Sequence, residues 1–340
     1  MAMLIEEGKL EMEKNQTRLI LGSGILAAGL AAAGAVSHGV TRNLVKIAVD
    51  RELPMKISAR ARQRFKGSGD DAAFLRAMEE SGRHLAARTA RTVEILARDG
   101  VRLVGHWLPS PQPKRIVVAM HGWRSSWNGD FGMIADFLYD SGCSVLYAEQ
   151  RGQGGSGGKY MGLGVLERLD CVDWARWAEK QAKGLPVYLS GVSMGATTVL
   201  MAAGLGLPKA VRGIVADCGF TSPQDIGRHI LKNNLHLSCD RRIPAADSLC
   251  RRKNRVGICG YSAVEAMRKN KLPVLFIHGA KDSFVPVSMT YENYQACAGP
   301  KELLIVPEAD HGMSYYLEPQ RYQAAVLGFW AKYDRGFPGR

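Results

Sequence analysis

Residues 187–201 read Val187-Tyr188-Leu189-Ser190-Gly191-Val192-Ser193-Met194-Gly195-Ala196-Thr197-Thr198-Val199-Leu200-Met201. The first four form a short apolar run of the kind that makes a strand buried on both faces, and the residues from Met194 onward have helical period. Between them lies the pattern G-x-S-x-G. A strand ending at such a serine, with a helix starting just after it, forces the serine into a strained backbone shape and lifts its hydroxyl to the tip of the turn. The first N–H groups of the helix then face whatever that hydroxyl attacks. The five-residue pattern alone is weak evidence, because the chain holds a second copy at Gly154-Gly155-Ser156-Gly157-Gly158. Ser156 is followed by Gly157-Gly158-Lys159-Tyr160, which cannot start a helix. Ser193 is therefore the candidate nucleophile.

Outward from this turn the chain alternates. Similar apolar runs stand at 116–120 (IVVAM), 144–148 (SVLYA), 213–216 (GIVA), 274–278 (VLFIH) and 303–306 (LLIV). Segments of helical period lie between them, near 131–141, 165–182, 194–206, 286–298 and 319–333. Ahead of them, 92–97 and 101–107 alternate around Asp99-Gly100, a hairpin signal. A leading hairpin followed by strand–helix alternation predicts a mostly parallel eight-stranded α/β sheet with helices on both faces. Its chemistry belongs at the carboxyl ends of the strands. One interval breaks the rhythm: about 55 residues separate the strand at 213–216 from the next one. That is too long for an ordinary connection, and it predicts a small, partly helical lid inserted at 221–271.

A serine hydroxyl is a poor nucleophile until a base takes its proton, and the base needs an acid partner to fix its tautomer. Of the eight histidines, His311 in Glu308-Ala309-Asp310-His311-Gly312 follows the last strand, where the order Ser…Asp…His places the base. His121 and His278 sit at strand ends and read as structural histidines. The candidate acid is Asp282, in the loop leaving the penultimate strand. Asp217, which ends the preceding strand, and Asp310 are its rivals. Backbone N–H groups for an oxyanion are expected from Met194 and from Trp123, in His121-Gly122-Trp123-Arg124. The Trp123 indole could line an acyl pocket or pack against the lid.

The motifs HGWRSS, QRGQGGSGGKY, SGVSMG, ADCGFTS, HGAKDSFVP and ADHG occur in this order along the chain. The sequence resembles the α/β-hydrolase superfamily, most nearly bacterial membrane-anchored members related to acyl esterases and the S9/S33-type serine hydrolases. The resemblance spans roughly residues 92–333. It implies Ser193, Asp282 and His311 as nucleophile, acid and base, with Trp123 and Met194 as oxyanion donors. One departure is Gln153, where many relatives carry histidine in a structural loop.

The sequence has 340 residues, 46% of them hydrophobic and 23% charged, which excludes a disordered tail protein or a multi-span membrane protein. The formal net charge is +13. The excess falls in two blocks, 42–91 with twelve basic and six acidic residues and 228–255 with eight and two. No zinc-finger or RNP-like spacing accompanies either block, so no nucleic-acid partner is expected; a basic surface facing an anionic membrane or substrate is. Seven cysteines without a C-x-x-C pair predict neither a zinc site nor a disulfide framework. One pair among Cys239, Cys250 and Cys259 could bridge in an oxidising compartment.

Residues 19–37 (LILGSGILAAGLAAAGAVS) carry no charge between Arg18 and Arg42. That length just crosses a hydrocarbon core of about 30 Å. A single-pass signal anchor in the cell membrane is the first expectation. A cleaved signal peptide, with Ala33-Gly34-Ala35 as its small-residue site, and a buried helix are the alternatives. Three basic residues before the segment and four just after it set no sidedness. The expected organisation is thus 1–41 tail and anchor, 42–91 basic and partly helical juxtamembrane linker, and 92–335 hydrolase domain.

These features predict a serine hydrolase that cleaves a carboxylic ester or thioester through an acyl-enzyme, acting on a small-molecule acyl substrate with no cofactor, no metal and no obligate protein partner. A peptidase or amidase using the same residues, or an inactive membrane-bound homologue that binds a ligand, are the alternatives.

Overall fold

The Asp99-Gly100 turn, with Gly100 at φ +80°, folds β1 (Arg91–Leu96) back on β2 (Arg102–Leu108) in antiparallel register, Leu96 opposite Arg102. The computed structural model describes residues 37–53, 72–88 and 90–334. From this hairpin the sheet grows through β3 (Arg115–Met120), β4 (Cys143–Ala148), β5 (Val187–Val192), β6 (Val211–Asp217), β7 (Val274–Gly279) and β8 (Lys301–Val306). The eight strands lie in the order β1-β2-β4-β3-β5-β6-β7-β8. β2 pairs β4 antiparallel, and every pairing beyond β4 is parallel. Every residue of β3, β4 and β7 is buried, whereas β1 at the edge alternates between exposed and half-buried positions. The continuous apolar runs mark the strands covered on both faces, and the alternating run marks the edge.

Both faces carry helices. On one, α5 (Glu167–Ala182), α6 (Met194–Ala202) and α9 (Ala263–Lys269) bring Trp174, Leu200 and Met267 onto Val118, Leu189 and Phe276. On the other, α3 (Trp127–Phe131), α4 (Ala135–Asp140) and α12 (Pro319–Tyr333), which follows α10 (Val287–Ala296) and the short α11 (Ser314–Leu317), bring Phe131, Leu138 and Trp330 onto Val117, Tyr147 and Tyr188. The helix expected near 131–141 is split in two at Gly132. There α2 (Ala72–Ala87) passes so close that a Cβ on Gly132 would overlap Gly82. Buried Arg115 at the start of β3 reaches Asp334 beyond α12 at 2.6 Å, and the Tyr188 hydroxyl donates to the other oxygen of Asp334 at 2.8 Å.

The long interval after β6 is helical. α7 (Pro223–His229) is capped by Ser222, whose side chain accepts from Asp225 N, and it runs into a π-turn at Ile230–Asn234. α8 (Arg242–Asn254) follows, while α9 returns to the sheet. One helix, α1, covers 37–49 and runs across position 41, where a boundary was expected. Its buried Val45 and Val49 pack against Cys250 of α8 and Ile258. The expected membrane segment lies outside the described residues except for Ser37. Among the described residues no helix is long and apolar enough to cross a membrane. All seven cysteines are free thiols, including the three of the lid.

Candidate active site

Ser193 stands between β5 and α6 at φ 55° and ψ −119°. A non-glycine residue in that region stores on the order of 1–3 kcal/mol of strain and needs its surroundings to hold it there. They do: Ser193 N donates to Asp217 O at 2.8 Å. A Cβ on Gly191 would overlap the Gly195 backbone, and one on Gly195 would overlap the Met120 carbonyl. The glycines of the motif are thus the price of packing the turn against the end of β3.

Two loops bring the partners. His311 follows β8, and its Nε2 lies 2.9 Å from Ser193 Oγ; its Nδ1 lies 2.7 Å from Asp282 Oδ2. Asp282, in the loop after β7, is itself pinned. Its Oδ1 accepts from the backbone N–H groups of Phe284 at 2.9 Å and Val285 at 2.7 Å. Its Oδ2 is also approached by His278 Nε2 at 3.0 Å. Burial works against charge on Asp282, but His311 and His278 hold its carboxyl well below the usual carboxylate range. Burial likewise opposes a charged His311, yet Cys218 and Asp282 beside it raise its pKa well above the ordinary imidazole value. Burial pushes the Cys218 thiol itself up to about 11, so near neutral pH the charge that favours the imidazolium is that of Asp282. A hydroxyl bonded to an imidazole whose other nitrogen is fixed by a buried carboxylate is an arrangement that can make the hydroxyl a nucleophile.

The rival residues stand elsewhere. Asp217 accepts from the Ser314 hydroxyl at 3.5 Å, and burial pushes its carboxyl up to about 6. Asp310 accepts from the Ser283 N–H and from the backbone, not the ring, of His311, both at 2.8 Å. Ser156 is fully buried, donating to Glu149 O at 2.6 Å and accepting from Val104 N at 2.8 Å. His121 is engaged with Gly122 O and Gln150 N, as a structural histidine should be.

His278 was legible only as a satisfied strand-end histidine, and it has a further role. Two acceptors, Asp282 Oδ2 and Val285 O, face its Nε2, so that nitrogen carries the proton and Nδ1 accepts from the Thr290 hydroxyl at 2.7 Å. The i,i+4 spacing of His278 and Asp282 across the loop was the available signal.

The loop after β3 runs beside the serine. Gly122 N donates to Asp130 Oδ2 at 2.6 Å, and a Cβ on Gly122 would lie 3.3 Å from Ser193 Cβ. Trp123 and Met194 both line a cavity with Ser193, and the Trp123 indole N–H donates to Ala48 O of α1 at 2.8 Å. Ser193 opens onto two cavities. One, of about 620 Å³, has mixed walls, with Arg51, Arg124, Gln153 and His311 beside apolar Ile47, Phe74, Met78 and Phe284. The other, of about 150 Å³, has almost wholly apolar walls supplied by α1, α7, α8 and Phe220. The Cys218 thiol, the Asp282 carboxylate and the His311 imidazole offer ligand atoms within 4.8 Å of one another, a set able to hold a metal ion. An ion there would compete with the bonds that link His311 to Asp282 and Ser193.

Comparison with known proteins agrees with this geometry. The family model for serine aminopeptidase, S33, matches residues 111–239. The uncharacterized protein YqkD of Bacillus subtilis is 30% identical over 226 residues, 66% of this chain and 73% of that protein. The uncharacterized protein Rv2307c of Mycobacterium tuberculosis is 27% identical over 246 residues, 70% of this chain and 78% of that one. Among solved structures, the Pyrococcus furiosus esterase Pf2001 superposes with a TM-score of 0.59 at 24% identity, over 74% of this chain and 95% of the esterase. Mouse alpha/beta hydrolase domain-containing protein 10 gives 0.53 at 18%, over 72% and 99%. Sheet order, strand-to-helix turn and sequence relatives lead to one assignment: the chain belongs to the α/β-hydrolase superfamily.

Proposed function

We propose that this protein is a serine hydrolase that cleaves a carboxylic ester or thioester through an acyl-enzyme. The observation that carries the reading is the unbroken chain of hydrogen bonds from Ser193 Oγ through His311 to Asp282. Ser193 Oγ attacks the carbonyl carbon while its proton passes to His311 Nε2. The tetrahedral oxyanion is met by the backbone N–H groups of Trp123 and Met194, each worth on the order of 3–4 kcal/mol of transition-state stabilisation. As the carbonyl re-forms, the bond to the leaving oxygen or sulfur breaks and His311 returns the proton to it. Water, deprotonated by His311, then attacks the acyl-enzyme; the acid leaves and Ser193 Oγ regains its proton. Asp282 keeps the imidazole in the required tautomer throughout.

The almost wholly apolar cavity beside Ser193 suits an acyl chain, and the larger cavity, where Arg51, Arg124 and His311 stand among apolar side chains, suits the leaving group. The esterase Pf2001 supports the same chemistry by likeness. The description of the matching family model, serine aminopeptidase, keeps amide substrates as a second reading. In the membrane part of the proposal, the apolar stretch at 19–37 anchors the enzyme. The test is turnover of p-nitrophenyl esters and aminoacyl p-nitroanilides by the native chain and by Ser193→Ala. Ester turnover that vanishes in the variant is the expected result. Anilide turnover alone would transfer the assignment to an amidase, and no turnover of either class would favour a ligand-binding role.

A further inference from the structure

We infer that α1 is part of the substrate site: it walls an apolar subsite for an acyl chain of about six carbons, with Ile47 at the mouth of that subsite. The inference rests on the hydrolase reading above and adds the acyl class to it.

The cavity that begins at Ser193 has a volume of about 150 Å³, and among the described residues its polar lining apart from the serine is Thr41 and Arg242. An apolar space of about that volume accepts a ligand the size of benzene, hence about six carbons. One wall is α1 itself, through Leu44, Val45, Ile47 and Ala48. This helix lies outside residues 111–239, which the family model covers. Ile47, Trp123, Phe284 and Ser193 line both cavities, so Ile47 stands at the junction where an acyl chain would turn away from the scissile carbonyl.

α1 is held in that position from both sides. The Trp123 indole donates to Ala48 O at 2.8 Å, and Arg124 donates to Ile47 O at 2.7 Å and to Asp50 O at 2.5 Å. From the lid, Lys253 of α8 pairs with Asp50 at 2.8 Å. Met161 N also donates to Val49 O at 2.7 Å. The residue expected to supply an oxyanion N–H thus grips α1 through its indole, joining acyl subsite, lid and oxyanion loop in one structure.

The experiment measures kcat/KM of the full chain on p-nitrophenyl acetate, butyrate, hexanoate, octanoate and dodecanoate, beside Ile47→Trp and Leu44→Ala. For the native enzyme kcat/KM should rise about fourfold for each added methylene, then level off near hexanoate. Ile47→Trp fills the subsite, so its hexanoate-to-acetate ratio should fall at least about tenfold. Leu44→Ala enlarges it, so the plateau should move to octanoate or beyond. Native acetate turnover with the same chain-length profile in both variants would overturn the inference and leave the hydrolase reading intact. No native turnover on any ester would overturn the hydrolase reading and this inference with it.

Discussion

His278 Nε2 stands 3.0 Å from Asp282 Oδ2, the same oxygen that His311 Nδ1 holds at 2.7 Å. His278 is fully buried and bonded at its other nitrogen by Thr290, so it acts as a fixed donor that aims the carboxylate. On the proposed mechanism it would touch no reacting atom and would serve as a positioning residue. A hydrogen bond to a charged group contributes about 1.5–3 kcal/mol. His278→Ala should therefore lower kcat by about 10- to 100-fold with little change in KM, and His278→Gln, which keeps a donor, should recover part of the loss. Steady-state kinetics on one ester would show this; equal kcat in all three proteins would deny His278 the role.

Asp282→Asn replaces the acceptor facing His311 Nδ1 with a group that can donate, favouring the wrong imidazole tautomer. Where an equivalent carboxylate has been changed in other serine hydrolases the loss in kcat is about 10⁴-fold. The same loss is expected here, with a folded protein by circular dichroism. Asp217→Asn should cost far less, since the Asp217 carboxylate meets the Ser314 hydroxyl rather than the His311 ring.

The pH profile has a definite sign. On the proposed mechanism His311 must be neutral to accept the Ser193 proton, and its pKa is raised above the ordinary value of about 6.5. Activity should accordingly rise with pH, with the acid limb of kcat/KM above the usual histidine range. Asp282→Asn removes the charge that favours the imidazolium, so its acid limb should lie lower. A native limb at or below 6.5 would contradict the electrostatics derived for the site.

Away from the site, Asp334→Ala would leave Arg115 buried without its carboxylate, 2.6 Å away in the native fold. Removing one partner of a buried pair costs about 3–5 kcal/mol, so thermal melting should fall by about 10 °C. Because the pair lies at the start of β3, far along the strand from Met120 and the serine, KM for small esters should not change.

How far the sequence could be read follows from where the information lies. The buried strands were legible because a strand covered on both faces leaves an unbroken apolar run, as in 116–120. Ser193 was legible because strand, glycines and helix are contiguous. Asp282 and His311 could be located because each follows a strand in a fixed order. The bond from His278 to Asp282 was not, since a loop of four residues does not reveal which way its side chains turn. Nor was α1 as a wall of the apolar cavity: Leu44, Val45, Ala48 and Val49 carry a helical stripe, but its partners Cys250 and Ile258 lie some two hundred residues later. The division of the helix near 131–141 was hidden for the same reason, because it depends on α2 pressing against Gly132.

The most direct test of the central claim is covalent capture of the nucleophile. A fluorophosphonate exchanges its P–F bond for a bond to an activated serine oxygen, releasing fluoride and a proton. After such labelling, digestion and mass spectrometry should place the phosphonyl group on Ser193 alone. Labelling should be absent in Ser193→Ala and strongly slowed in His311→Ala. A label on Ser156 or another serine, or no label on the folded native chain, would contradict the account.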